Sequence, residues 1–512
     1  MRVFRLLGLL GGLAAVTDLG TGAAPDESLR RCVVAARLAR EAGCADEGVR
    51  EVVYVSLLQH LGCTAYAHEL ARVWGDDVAA NRFAFVMNAA DPRDLVRVWV
   101  PGMAAATGWS RAHMFAATVR SVRRVDANAP AATCDVAREA ARRLGLPPSV
   151  QNGLGHTVSM WNGKGYPKVA GPDIPLSTRI MHVASVAVLF LMYDGVDRAL
   201  AEVRRRSGSS LDPHLAELVL SRGVDGLADV AAVDAYQAVL DSEPDPVFMV
   251  DEPDLESVAR TFGDLADLKS PWLQGHSSAV GELAGAAAAV LGLGDGVRDV
   301  RVAGYLHDIG RVAVSSQIWD KTEPLSLTEA DQARLHPYHG ERVLARVPML
   351  AAAASLVGQH HERCDGSGYH RGLTGDRMTM AARVLAAADA YQTAVEERPR
   401  AAAIPAAEAA RSLRDEARAG CLDGDAVQAV LEAAGHERRS RRVRPAGLTD
   451  RQVEVLRLVT HGLSNREIAE RLVISRRTAE NHVQDVYTKI GVSTRAAAAM
   501  FAMEHGLAGT SS

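Results

Sequence analysis

Residues 276 to 389 carry metal-ligating side chains in a fixed order: His276, His307-Asp308, His336, His360-His361 and Asp389. Imidazoles and carboxylates gathered in such number suit a two-metal hydrolytic centre. Any one of the seventeen histidines is most simply a packed or solvated side chain. The ordered set is what points to metal chemistry.

Those residues need helices to hold them. Residues 276–291 have helical apolar spacing and begin with His276, and residues 298–309 form another apolar helix ending at His307 and Asp308. Neighbours on a helix point about 100° apart, so Asp308 can reach an ion that His307 cannot. Its two carboxylate oxygens suit it to bridge. His360-His361 repeats the adjacent-ligand device, and Asp389 follows the apolar run RVLAAAD.

The module is duplicated. VREVVYVSLLQHLGC at 49–63 matches VRDVRVAGYLHDIGR at 297–311, and WNGKGYPKVAGPDIPLSTRI at 161–180 matches CDGSGYHRGLTGDRMTMAARV at 364–384. The first copy has about 45 more residues between its blocks, which predicts a helical insertion. It has lost nearly every ligand: Gln59-His60 faces His307-Asp308, Thr157-Val158 faces His360-His361, Ser185 faces Asp389, and His276 falls near Ser28. It keeps the turn Gly165-Tyr166-Pro167, so a structural or sensory role is expected of it. Segment 241–256 is acidic and proline-rich and reads as a linker; 437–447, with five arginines, reads as a second one, solvated or in contact with phosphate.

A chain of 512 residues has room for about three domains. Its 48% hydrophobic and 23% charged content is that of a globular protein, and abundant alanine with 5% aromatics favours an all-α fold. The net charge of −5 gives no global sign of nucleic-acid or membrane binding, so any basic surface must be local. Six scattered cysteines without a C-x-x-C pair fit a reduced cytoplasmic protein, not a disulfide scaffold or a structural zinc site. The N-terminal run after Arg5, LLGLLGGLAAV, has signal-peptide composition but is expected to be a buried helix; no stretch reaches the uninterrupted apolar length of about 18 residues that a membrane span needs.

Residues 257–436 resemble an HD-GYP domain, a branch of the HD metal-dependent phosphohydrolases, through HDIGR (307–311), HPYHG (336–340), HHERCDGSGYH (360–370), DAYQ (389–392) and ERPR (397–400). The resemblance implies an all-helical fold, cyclic di-GMP as the type substrate, and two divalent ions, iron or manganese. One ion would take His276, His307, Asp308 and Asp389; the other would take Asp308, His336, His360 and His361. Three positions depart from the family. Arg311 stands where lysine is usual beside the catalytic Asp308, His370 stands for the proline of the named turn, and Trp272 stands where members with three ions carry glutamate. Arg311, Arg398 and Arg400 match positions that meet substrate phosphates in relatives. Residues 1–240 resemble a degenerate copy of the same module and are expected to hold no metal.

Residues 448–510 show dense helix punctuation. Thr449 with Gln452 and Ser464 with Glu467 fit capping boxes, Ser475 and Ser493 or Thr494 open further helices, and Gly462, Gly491 and Gly506 sit at helix ends. Four short helices with a tight turn suit a helix-turn-helix, and the wording from LTDRQVEVLRL to STRAAA resembles the LuxR-type DNA-binding domain. That likeness implies a recognition helix over 475–490, with Glu480, Asn481 and Gln484 facing base edges. Arg476, Arg477, Thr478, Lys489 and Arg495 are then candidate phosphate contacts, and His482 has a buried role. The alanine-rich segment TRAAAAMFAMEHGL is expected to form the seam of a homodimer on double-stranded DNA.

The sequence therefore reads as a cytoplasmic, all-α transcriptional regulator: two HD-type modules in tandem, then a four-helix LuxR-type domain. The leading expectation is hydrolysis of a cyclic dinucleotide coupled to DNA binding. The alternatives are a non-catalytic receptor whose metal site holds a nucleotide, or a phosphohydrolase for another nucleotide.

Overall fold

The leucines after Arg5 form the helix Leu6–Gly20, with Leu7, Leu9, Leu10 and Leu13 fully buried. Its glycines make room for Tyr236, whose hydroxyl donates to the Gly8 carbonyl oxygen at 2.8 Å. The structure is a computed structural model that describes residues 3–435 and 445–508. Nearly all its regular elements are helices, apart from two-residue strands pairing Phe4–Arg5 antiparallel with Met249–Val250. The arginine-rich stretch expected to be a linker lies outside the described residues over 436–444. The chain divides into two compact units, Met1–Glu252 and Pro253–Ser512.

In the first unit the predicted insertion is helical and has its own core. Helices Ala67–Trp74, Asp77–Val86, Val100–Thr107 and Arg111–Arg143 enclose Trp74, Trp99, Met103 and Met114. Trp74 meets Trp99 edge to face at 4.6 Å. Helix Leu176–Asp194 is long and apolar enough to cross a membrane by length and composition, yet most of it is buried inside this unit. The acidic stretch read as a linker is instead partly built in. Buried Glu243 accepts from Arg5 Nε at 2.8 Å and from the Tyr54 hydroxyl at 2.7 Å, and the next helix already begins at Glu252.

The duplication is visible in the hydrogen bonding of each unit. Asp18 accepts from the backbone N–H and hydroxyl of Ser28, as Asp267 does from Ser277. Arg179 pairs with Asp212 at 2.8 Å, as Arg383 pairs with Asp423 at 2.8 Å. The first of these matches fixes the register: Ser28 corresponds to Ser277, so the counterpart of His276 is Glu27, within the one-residue gap that the sequence alignment left beside Ser28.

The second unit holds the helices that carry the ligand series, from Glu252–Asp267 to Gly424–Ala434, followed by four short helices. These are Asp450–Thr460, Asn465–Leu472, Arg476–Ile490 and Arg495–Glu504. Both capping boxes form, Ser475 and Thr494 cap the last two helices, and Gly491 ends the third with φ 72°. The helix expected to be a dimer seam is used within the chain. Ala496 to Met500, Ala502 and Met503 are buried, and Arg260 donates to the Met503 carbonyl oxygen at 3.3 Å.

Candidate metal centre and nucleic-acid interface

Glycines let the ligand-bearing helices approach closely. A Cβ on Gly304 would lie 2.6 Å from Gly281 Cα, and one on Gly263 would lie 2.1 Å from the Tyr305 carbonyl oxygen. With helices His276–Val290 and Gly296–Leu306 in such contact, the His276 and His307 rings lie 5.1 Å apart. His307 and Asp308 follow the end of their helix, where the chain turns into a 3₁₀ segment and aims both side chains inward. His336 opens the helix His336–Leu344, His360 and His361 follow Ala351–Val357, and Asp389 projects from Met380–Val395.

The structure brings all seven sequence-predicted ligands together. Asp308 Oδ2 lies 3.6 Å from His276 Nε2 and 3.2 Å from His307 Nε2, while Oδ1 lies 3.2 Å from His336 Nε2 and 3.7 Å from His360 Nε2. Asp389 Oδ1 is 3.3 Å from His276 Nε2, and its Oδ2 is 3.5 Å from His361 Nδ1. Two groups of ligand atoms result, one of His276, His307 and Asp308, the other of Asp308, His336, His360 and His361, with Asp308 common to both. All but His361 are buried residues.

Their environment suits cations. His276 Nε2, His307 Nε2 and both Asp308 oxygens are buried without a hydrogen-bond partner, and beyond the ion pair of Asp308 with Arg311 that arrangement costs free energy unless a cation is shared among them. Three imidazoles turn Nδ1 to a backbone carbonyl oxygen three residues back: His307 to Gly304 at 2.7 Å, His336 to Ala333 at 2.6 Å and His360 to Val357 at 2.6 Å. A carbonyl only accepts, so the proton sits on Nδ1 and the Nε2 lone pair faces inward. Burial pushes His336 down to about 4 and His361 well below the usual imidazole range, which keeps both neutral as ligands must be. Burial would raise the two carboxyls, but Arg311 and His307 beside Asp308, and His276 and His361 beside Asp389, hold both well below the usual carboxylate range. The donor set fits a metal centre.

The arginines differ in placement. Arg311 Nε lies 2.8 Å from Asp308 Oδ1, and its guanidinium covers the Trp319 ring at 4.8 Å. Arg398 lies beside His276, whereas Arg400 donates to the Lys321 carbonyl oxygen at 2.6 Å in a neighbouring loop. Two residues escaped the sequence reading. Buried Glu362 accepts the backbone N–H groups of Arg371 and Leu373 at 2.8 and 2.9 Å, which pins the loop carrying Tyr369 over His361. Glu396 accepts from His276 Nδ1 at 2.8 Å. It caps the end of helix Met380–Val395, and nothing in its spacing marked it.

In the first unit the corresponding positions are closed by other contacts. The Ser185 hydroxyl donates to Gln59 Oε1 at 2.5 Å, His60 stacks on Phe85 at 4.6 Å, and buried Arg31 donates to the Ser28 hydroxyl at 2.7 Å. Both clusters with metal-ligand spacing among the described residues are in the second unit.

At the other end, Arg476, Arg477 and Thr478 stand exposed on the first turn of helix Arg476–Ile490, with Asn481 and Gln484 exposed further along it. Glu480 is half-buried and paired with Arg476 at 2.9 Å; His482 is half-buried too. Lys489 bonds Gln452 Oε1 and Arg495 bonds Asn465 Oδ1, both at 2.8 Å, so these two cations also tie the small domain together.

Comparison with known proteins agrees with both ends of the chain. Residues 260–426 match the HD domain family, and residues 446–502 match the bacterial regulatory proteins of the luxR family. The chain joins an HD domain to a LuxR-type DNA-binding domain. It is 28% identical, over 78% of its own length and 89% of the relative's, to the 3′3′-cGAMP-specific phosphodiesterase 3 of Vibrio cholerae. A crystal structure of a cyclic GMP-AMP-specific phosphodiesterase of that organism superposes with a TM-score of 0.57 at 25% identity, covering 85% of this chain and 99% of the other. A cyclic di-GMP phosphodiesterase of Pseudomonas aeruginosa is 36% identical over 31% of this chain and 39% of its own. The all-α expectation holds, and the HD and LuxR resemblances stand.

Proposed function

We propose that the chain is a DNA-binding transcriptional regulator whose HD domain hydrolyses a cyclic dinucleotide. The observation that carries this reading is Asp308, a buried carboxylate shared by two sets of imidazoles, with Arg311 as its cationic neighbour. Two divalent ions bound there, iron or manganese, would supply Lewis acidity and an activated water for attack on phosphorus. The chain's own part is to hold the ligands neutral or anionic as required, to keep the centre buried, and to place Arg311 where a phosphate oxygen would need positive charge. Similarity to the Vibrio cholerae enzyme over most of both chains favours 3′3′-cGAMP beside cyclic di-GMP as substrate.

We further take 1–240 as the degenerate module, 257–436 as the catalytic one and 448–510 as the reader of DNA, acting as a cytoplasmic homodimer. On that reading Arg476, Arg477 and Thr478 meet phosphates while Asn481 and Gln484 face bases. One observation favours a receptor instead: the Arg311 guanidinium already lies on Asp308 Oδ1, where it competes with an ion.

The deciding experiment measures metal content and hydrolysis of 3′3′-cGAMP and cyclic di-GMP by the full chain and by Asp308→Asn. About two ions per chain, and turnover that falls at least roughly a hundredfold in the variant, are expected. Metal and nucleotide binding without turnover would establish the receptor. Turnover unaffected by Asp308→Asn would sink the assignment of the site.

A further inference from the structure

Among the ligand histidines, His276 is held differently. As the first residue of its helix it uses the Leu273 carbonyl oxygen for its own backbone N–H, at 2.9 Å, where His307, His336 and His360 use the carbonyl three residues back for the ring. Its Nδ1 is met by two groups with opposite demands. Glu396 Oε2 lies 2.8 Å away and can only accept; Arg398 Nη2 lies 2.9 Å away and can only donate. Arg398 also donates to the same Glu396 oxygen at 2.8 Å, and Gln392 donates to the other at 2.7 Å. The carboxylate is thus fixed from three sides.

We propose that Glu396 is a positioning residue that selects the metal-binding tautomer of His276 against Arg398. With Glu396 in place the proton resides on Nδ1, and Nε2 offers its lone pair toward Asp308 and Asp389. Without it, Arg398 remains as the donor to Nδ1, the proton moves to Nε2, and the edge facing the two carboxylates becomes a donor. The ion bound by His276, His307, Asp308 and Asp389 is then weakened, while the ion bound by Asp308, His336, His360 and His361 keeps its imidazoles. Removing Arg398 as well removes the competing donor and restores the productive tautomer in part.

This inference rests on the two-metal reading, and its test separates the two. Full-length protein stripped with chelator is titrated calorimetrically with Mn²⁺, beside Glu396→Ala, Arg398→Ala and the double variant, with each melting temperature recorded. Wild type should take two ions per chain and Glu396→Ala should bind one of them on the order of 10–100-fold more weakly. The double variant should regain much of that loss, and Arg398→Ala should bind both ions as wild type does. Rescue by deleting a second residue is not what a merely structural role gives. Wild-type affinities in Glu396→Ala, no recovery in the double variant, or loss of an ion in Arg398→Ala would each overturn the proposal. Two ions in wild type without nucleotide hydrolysis would remove the phosphodiesterase reading and leave this one standing; no ions in wild type would overturn both.

Discussion

Gly310, two residues beyond Asp308, shows how little freedom the centre's backbone has. A Cβ there would lie 2.0 Å from the His336 carbonyl oxygen and 2.7 Å from the Gly340 nitrogen, both of them backbone atoms that cannot step aside alone. Gly310→Ala should therefore cost at least about 2 kcal/mol and lower the melting temperature, with His336 displaced from the ligand set. A variant as stable as wild type, by calorimetry, would show that the two segments are not packed as described. The same constraint holds at the corresponding glycines of the first unit. Gly62, the counterpart of Gly310, would put a Cβ 1.9 Å from the Thr133 carbonyl oxygen, and Gly165 and Gly368 are equally enclosed. At this scale the buried cluster of histidines and aspartates was readable from residue type and order. Glu396 and Glu362 were not, because a carboxylate that orients a neighbour has no periodicity of its own.

Helix ends were equally legible where local chemistry decides them: the Thr449–Gln452 and Ser464–Glu467 capping boxes both form. Long-range contacts were less so, and Glu243 with its surroundings folded into the first unit although its composition suited a linker. The packing of the eroded copy has a measurable consequence. Burial, with Arg31 and Arg82 nearby, pushes His60 well below the usual imidazole range, and burial lowers His182 against its bond to the Thr157 carbonyl oxygen. Below the ordinary value of 6.5 the unfolded chain takes up protons at these positions that the native state refuses. Stability contributed by their neutrality is complete above that pH and is lost as pH falls below it, by at most about 1.4 kcal/mol per pH unit for each group. Urea midpoints should fall between pH 7.5 and 5.5, and His60→Gln should make the fall shallower. An identical pH dependence in the variant would rule out this account of His60.

Within the second unit as a whole, the DNA-binding domain rests on the segment that leads into the metal centre. Gly275, the residue before His276, has φ 88° and leaves only 3.1 Å between a Cβ placed on it and Ala508 Cβ. Gly462 packs in the same way against Pro271, and Arg260 bonds both the Ser278 hydroxyl and the Met503 carbonyl oxygen. The small alanine side chains that suggested a dimer seam are thus spent on intramolecular burial; composition reveals that a helix wants a close neighbour but not which surface supplies it. Introducing a charge at this contact separates the two uses. Ala508→Glu would bury a carboxylate with no partner, at a cost of several kcal/mol, so the small domain should detach instead. X-ray scattering should then show a larger radius of gyration, and light scattering should show whether the freed helix Arg495–Glu504 now pairs two chains. An unchanged radius of gyration would mean that Ala508 is not enclosed by the HD domain beside His276.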